Sequence, residues 1–529
     1  MLISKTSYLK GRQCPKRLWF AVNGRREPKV EPDEVLKDRE LDGAVVERVA
    51  ESLFPEGISI APPADDDEAK EQTSDRGERV ARTQALLGGE QTLFQAHLEV
   101  DGLLAITDVL ERRDDGWFLW EVKSSTHEPD KDPKALYDWD LAFQVHVARI
   151  AGLDVVGAGL LLLNANLERG EGEPEAKNLI VELPRTEAVM GRLDTVAAEL
   201  AALRSKAGGD KPPSEWPAPR CKASRANRTG DRPSTCGHLE SSGECGRYLP
   251  KYWAGTLPNL KGSKAEYIAG TRHLPIDRLD PADPDRKWTK DQQRVIRAVH
   301  DEQPEICRES LRRELDKLEW PVAYIDFEFD PGMAVPRFSG TRPYDRIPFQ
   351  WAMAVQPTPD APLGETRQFL WLETSDPRRA FTEALLDALP DEGSIVAHHE
   401  SAETTVLKQL AARLGGTLAM RLEALVERFL DTKKIASAGF YHPDQHGSYS
   451  IKKLAKPLVG RGYEDLEITN GMLAVAQWRR ACDADLDPVK REQYRRDLEA
   501  YCGRDTVLMH EIIERLRSLS GWQPSSSHD

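Results

Sequence analysis

One stretch of the chain lacks the material for a core. Residues 205–247 (SKAGGDKPPSEWPAPRCKASRANRTGDRPSTCGHLESSGECGR) hold few apolar side chains and much Gly, Pro and Ser. Such a segment cannot bury enough apolar surface to offset the entropy of ordering it. It is therefore either disordered or tied down by something other than hydrophobic burial. Three of the seven cysteines of the chain, Cys221, Cys236 and Cys245, lie within it. Strand and helix patterns stand on either side. At roughly 150 residues per domain, 529 residues correspond to two to four domains.

Composition removes several classes of function. The longest clear apolar run, residues 155–163, is far short of the roughly 20 residues a membrane helix needs. The first five residues, Met1-Leu2-Ile3-Ser4-Lys5, lack the apolar core of a secretory signal. An odd count of seven cysteines in so long a chain is no secreted disulfide framework. A reducing cytoplasm is the expected setting. With 88 acidic against 73 basic residues the net charge is −15, which argues against a basic nucleic-acid coat. It leaves room for an enzyme whose carboxylates hold metal ions.

Residues 1–60 read as helical, and residues 62–79 as an exposed loop or helix start. TLFQAHLEV, LAITDVLERR and WFLWEVKSS read as neighbouring strands with Asp-Gly turns at 101–102 and 115–116, followed by a helix and a buried strand. Glu121 and Lys123 are two apart on a strand and so share a face, and an adjacent antiparallel strand brings Asp108 beside them. Two carboxylates converging beside a lysine form a hard oxygen site for Mg²⁺ or Mn²⁺, suited to metal-assisted phosphodiester hydrolysis. A bare Glu-x-Lys is also what a cross-strand salt bridge looks like; the hairpin, the apolar flanks and Gln144 on the following helix favour the site.

These residues resemble the PD-(D/E)XK nucleases, in particular the RecB-like branch. The resemblance implies that Asp108, Glu121 and Lys123 are the motif residues and Gln144 the helix glutamine. It also implies a metal ligand at Glu47, where the branch usually has histidine; Ala148 replaces its usual tyrosine. Cys14, in Gln13-Cys14-Pro15-Lys16-Arg17, together with Cys221, Cys236 and Cys245 makes a four-thiolate set, which closes either an iron–sulfur cluster or a zinc site. RecB-like nucleases with one early and three late cysteines imply a [4Fe–4S] cluster. Zinc, with His238 as a further ligand, and free thiols are the alternatives. Cys307, Cys482 and Cys502 read as packing residues.

Residues 288–318 read as two helices, one capped by Thr289 and the next opened by Pro304. From Pro321 a second α/β pattern begins. VAYIDFEF, FQWAMAV, RQFLWLE and SIVAHH read as strands, with a helix at 377–389 before the last. Asp326 and Glu328 share one strand face, and carboxylates on a buried strand call for a cation. Glu403 follows on a helix. Tyr501 and Asp505, four apart on a helix over 489–517, share its face. Asp-x-Glu, a middle acid and Tyr-x-x-x-Asp resemble the DEDD exonucleases of RNase H-like fold, and the tyrosine their DEDDy subgroup; His399 and Ala402 depart from the usual middle motif. This resemblance implies two divalent ions, Tyr501 orienting the attacking water, and 3′→5′ removal of nucleotides. Arg342, Tyr344 and Arg346 on the loop after Asp-x-Glu are candidate phosphate or base contacts, or hairpin salt bridges. Ser448 or Ser450 can cap a helix carrying Lys452 and Lys453, a phosphate-site candidate. Asp431 is a possible auxiliary acid, and His442 and His446 read as polar loop residues.

The whole resembles a bacterial family that fuses a RecB-like, cysteine-bearing nuclease to a DEDD-type (DnaQ-like) exonuclease. The expected architecture is α/β: a PD-(D/E)XK restriction-endonuclease-like domain over 1–250 with its cysteine clasp, a helical connector over 251–319, an RNase H-like domain over 320–520, and a disordered tail at 521–529. The expected function is a metal-dependent dual nuclease acting on DNA ends or single strands, in repair or defence and alongside protein partners. RNA processing, or a nucleic-acid-binding scaffold with one decayed site, are the rivals.

Overall fold

The computed structural model describes residues 1–29, 32–60, 76–89, 91–215, 217, 221 and 236–524. Of the disordered tail expected at 521–529, residues 525–529 lie outside that set, as do most of 62–79 and all of 222–235, but Trp522 is buried and its Nε1 donates to Asp316 Oδ1 at 2.7 Å, so the start of that stretch is ordered. The chain is mixed α/β. It forms two compact units, one of Met1–Leu249 with Met333–Tyr344 and one of Pro250–Gly332 with Asp345–Asp529.

The first unit is built on a seven-stranded sheet. Its order is Ile58–Ser59, Leu93–Val100, Leu103–Arg113, Gly116–His127, Val155–Asn164, Ile180–Pro184, with Ile3–Ser4 paired to the start of Leu103–Arg113. The hairpin between the second and third of these turns on Asp101 and Gly102, at φ of 50° and 71°; the paired left-handed conformation matches the twist of the flanking strands. Gly116–His127 and Val155–Asn164 run parallel, joined by the helix Ala135–Ile150 as a crossover. Val155–Asn164 is apolar and almost wholly buried, as a strand covered on both faces must be. Leu141, Phe143, Val145, Leu160 and Leu162 share one core with the N-terminal helices Lys5–Gln13 and Pro15–Val22. Val122, Leu161 and Leu163 pack on the other face with Val46 of the helix Asp33–Glu51. Residues 333–344 belong to this unit: Ala334 is buried in that second core, and Arg169 N–H donates to Thr341 O at 2.9 Å.

The second unit carries a five-stranded sheet in the order Arg367–Leu370, Ile347–Gln356, Val322–Asp330, Ile395–Ala397, Phe429–Asp431. The first two pairings are antiparallel and the last two parallel. In Val322–Asp330 alternate residues divide: Ala323, Ile325 and Phe327 enter a core with Phe381 and Leu407. Tyr324 faces the 33-residue helix Pro488–Ser520, its ring 5.3 Å from that of His510. The third strand is shorter than RQFLWLE suggests, and Phe429–Asp431 is a fifth. Thr289 caps Lys290–Asp301 with a full capping box. Pro304 does not open a helix. It precedes the short strand Glu305–Ile306, which pairs with Phe440–Tyr441, and the next helix is Arg308–Leu315. Residues 250–319 fold within the second unit, where Ile268, Ile296 and Tyr441 share a core.

Candidate metal centres

In the second unit the strand alternation that buries Phe327 presents Asp326 and Glu328 on the opposite face. The helix Pro488–Ser520 crosses that face and supplies Asp505. Oxygens of these three carboxylates all lie within 4.8 Å of one another; Glu328 and Asp505 are buried and Asp326 partly so. Burial, reinforced by the negative charge of Glu403, pushes the Asp326 carboxyl up to about 8. Burial and the Asp326 charge drive Glu328 and Asp505 upward as well. Glu403, in the first turn of Ser401–Leu414, is pushed up to about 8 by burial, with the Asp431 charge adding to it, and its Oε2 is buried without a hydrogen-bond partner. Three converging carboxylates held where ionisation is costly fit a hard divalent cation, while Glu403, with its orphaned oxygen, lies outside that 4.8 Å group.

Tyr501 is buried one helical turn before Asp505 and accepts a 3.2 Å hydrogen bond from Lys452 Nζ. Lys452 follows Ser450, the N-cap of Ile451–Val459. Its ammonium, depressed by burial, sits about 5 Å from the rings of both Tyr463 and Tyr501. The Tyr463 hydroxyl donates to Asp505 Oδ1. A Cβ on Gly471 would stand in ordinary contact, 3.6 Å from Glu328 Oε2, which places the N-terminus of Gly471–Ala481 beside the cluster. Asp431 caps Thr432–Gly439 and accepts the His399 N–H at 2.9 Å, a positioning task.

In the first unit Asp108 lies one ladder step beyond the Val109–Trp120 pair, opposite Glu121, and accepts the Val122 N–H at 2.8 Å. Both are buried. Glu121 Oε1 accepts Lys5 Nζ at 2.7 Å and also Lys123 Nζ; Glu121 Oε2 accepts Gln144 Nε2 at 2.6 Å. Asp140, one turn before Gln144, accepts Lys123 Nζ at 2.8 Å. Burial and the Glu121 charge raise Asp108 to about 8. Burial would raise Glu121 too, but Lys123 and Lys5 outweigh it and hold its carboxyl well down. Glu47 accepts a 3.4 Å bond from Gln95, and burial with the Glu121 charge raises its carboxyl. Asp108 and Glu121 stand opposite one another on adjacent strands, with two lysines already among the acids.

Cys14, between the two N-terminal helices, lines one cavity with Cys221, Cys236, Cys245 and His238. The Cys236 N–H donates to Cys221 O at 2.9 Å and the Cys245 N–H to His238 O at 3.0 Å. None of the four is in a disulfide. Burial pushes Cys236 up to about 12 and Cys245 to about 11. His238 packs its ring 4.4 Å from Phe20, with Nδ1 buried and unpartnered. Four thiols lining one pocket are a soft donor set of the kind that holds a cluster or zinc, although no three of the ligand atoms of these cysteines and His238 lie within 4.8 Å of one another.

Arg342 and Tyr344 fall in the first unit, Asp326 and Glu328 in the second. Arg342 Nη2 is 3.8 Å from Glu168 Oε2, and the Tyr344 hydroxyl donates to Ser124 O. Their loop is anchored by Ala334 in the core of that unit. Arg346 donates to Ala402 O at 3.1 Å in the second unit. Sequence reasoning missed Lys5, Asp140 and Tyr463. Asp140 alone left a signal, four residues before Gln144.

Fold and sites together define a mixed α/β protein with two buried acidic centres and a four-thiol cavity. Residues 323–450 match a family described as a domain of unknown function, DUF2779. That match takes in Asp326, Glu328 and Glu403 and stops before Lys452, Tyr501 and Asp505. No curated protein matches the chain. Among the described residues no helix is long and apolar enough to cross a membrane.

Proposed function

We propose that the protein is a divalent-metal-dependent nuclease with two hydrolytic centres, its first unit PD-(D/E)XK-like and its second RNase H-like of DEDDy type. The observation that carries the reading is the convergence of Asp326, Glu328 and Asp505 within 4.8 Å, with Glu403 bearing an unpartnered buried oxygen. Mg²⁺ or Mn²⁺ held there would supply charge to the scissile phosphate and a more acidic water. Tyr501 then orients the attacking water through its hydroxyl, itself fixed by Lys452. Tyr463 holds Asp505 in place. In the first unit Asp108 and Glu121 would hold the ion, Lys123 would face the water, and Gln144 fixes Glu121. The substrate proposed is DNA, at ends or in single strands, in a cytoplasmic repair or defence setting. The four thiols are assigned to a [4Fe–4S] cluster that ties the core-poor segment to the N-terminal helices, with zinc as the alternative.

The test is incubation of purified protein with Mn²⁺ and end-labelled single-stranded DNA, double-stranded DNA and RNA. Mononucleotides released from 3′ ends of DNA support the exonuclease reading. Cleavage of RNA alone would move the assignment to RNA processing. No cleavage of any substrate overturns it.

A further inference from the structure

We propose that Arg346 and Lys433 form a phosphate-binding rim beside the second-unit acidic cluster and hold the backbone of a single DNA strand whose 3′ end enters it. The inference rests on the reading of Asp326, Glu328 and Asp505 as a nuclease centre.

Both residues stand at one end of the sheet. Val322–Asp330, Ile395–Ala397 and Phe429–Asp431 run parallel, so their carboxyl ends lie together. Glu328 is near the end of the first strand. Glu403 is in the first turn of the helix that follows the second, and Lys433 in the first turn of the helix Thr432–Gly439 that follows the third. Ile347 pairs with Asp330, which brings the preceding residue, Arg346, to the same end. Open α/β sheets bind their ligands outside the carboxyl ends of such strands.

The partners of these two cations set them apart. In an acidic chain a surface cation meets a carboxylate readily, and close by Lys434 pairs with Glu400 and Arg479 with Asp330. Among the described residues Arg346 and Lys433 form no ion pair, although both are half-buried. Arg346 donates through Nη1 to Ala402 O at 3.1 Å and lies over the Phe329 ring at 4.8 Å. Those contacts fix the guanidinium and leave its other N–H groups for a second acceptor. Its charge bears on the Glu403 carboxyl, yet Glu403 Oε2 is buried without a hydrogen-bond partner. Lys433 bears in the same way on His398, whose ring is fixed by a 2.9 Å bond to Tyr449 O. A partly desolvated cation without a counter-charge is costly, and an incoming anion removes that cost. A phosphodiester suits both: two oxygens for the planar guanidinium and one for the ammonium.

The experiment follows release of 3′ mononucleotides from an end-labelled single DNA strand by the full chain with Mn²⁺, at several salt concentrations. Arg346→Gln and Lys433→Gln should each raise KM about tenfold, the effect of losing one charge-assisted contact, with a much smaller change in kcat. Each should also flatten the dependence of log KM on log salt by about 0.7, the share of one single-strand phosphate. Arg346→Lys should restore that salt dependence, which repair of a merely structural fault would not predict. A strand carrying one neutral methylphosphonate, moved along the positions next to the 3′ end, should raise KM for the unsubstituted chain at a position to which Arg346→Gln is indifferent. Thermal melting in EDTA checks that each variant is folded. Release by the unsubstituted chain, with KM and salt dependence unmoved in both glutamine variants, overturns the rim alone. No release by the unsubstituted chain overturns the nuclease reading and the inference with it.

Discussion

Asp326 carries a carboxyl lifted from its ordinary 3.8 to about 8, with Glu403 beside it lifted to the same level, both chiefly by burial. A carboxyl raised on folding holds more protons in the native state than in the unfolded one between those limits. Its stabilising contribution is present below the unfolded pKa and is lost as pH rises through the folded one. Metal-free protein should therefore lose thermal stability from about pH 5 to about pH 8, and Asp326→Asn should flatten that decline. Added Mn²⁺ should raise the melting midpoint more at the upper end of the range, since the ion binds the ionised acids. A melting series with and without Mn²⁺ checks both; a metal-free midpoint that rises with pH contradicts the burial of these groups. Asp326→Ala should cut 3′ exonuclease turnover by roughly 100-fold or more, because a ligand-held metal supplies several kcal/mol of transition-state stabilisation. At this scale the sequence was informative where spacing alone sets geometry: Asp326 with Glu328 on a strand, Tyr501 with Asp505 on a helix. Lys5 was hidden because its contact with Glu121 spans 116 positions, and no periodicity reports a pairing that tertiary packing makes.

Elements position these residues more than residues position themselves. The helix Pro488–Ser520 brings Tyr501, Cys502 and Asp505 to the strand Val322–Asp330, and Asp487 caps its start by accepting the Val489 and Lys490 N–H groups at 3.0 and 3.1 Å. Asp487→Ala should cost about 1 kcal/mol of stability in denaturant titration, the usual worth of such a cap, while leaving Mn²⁺ binding unchanged because the site lies several turns away. A loss of metal affinity instead would mean that the frayed end reaches the centre. Most of these elements were legible from apolar periodicity, and Thr289 from its cap chemistry. The short strands Glu305–Ile306 and Phe429–Asp431 were not, because two or three residues carry no period and exist only through their partners. Pro304 misled for the same reason: a proline that can open a helix can equally precede a strand.

For the molecule as a whole, the segment without core material now has a physical anchor. Cys221, Cys236 and Cys245 meet Cys14 in one cavity, where Glu27 accepts the Gly237 N–H at 2.8 Å and the buried Arg17 at 2.6 Å. Protein purified without oxygen should be brown, and Cys14→Ala should bleach it and lower the melting midpoint of the first unit; a colourless protein with stoichiometric zinc would refute the cluster. The start of a second α/β pattern at Pro321 was readable from the strand spacing, but the transfer of residues 333–344 to the first unit was not, since nothing in Gly340-Thr341-Arg342-Pro343-Tyr344 reveals which core Ala334 enters. Two chemically independent centres in one chain make a demanding claim, and end-labelled DNA with Mn²⁺ tests it through single-site variants. Asp326→Ala should abolish 3′ mononucleotide release and spare the remaining products, and Lys123→Ala should do the reverse. Unchanged products from both variants, or loss of every product from either one, would contradict two separate nuclease sites.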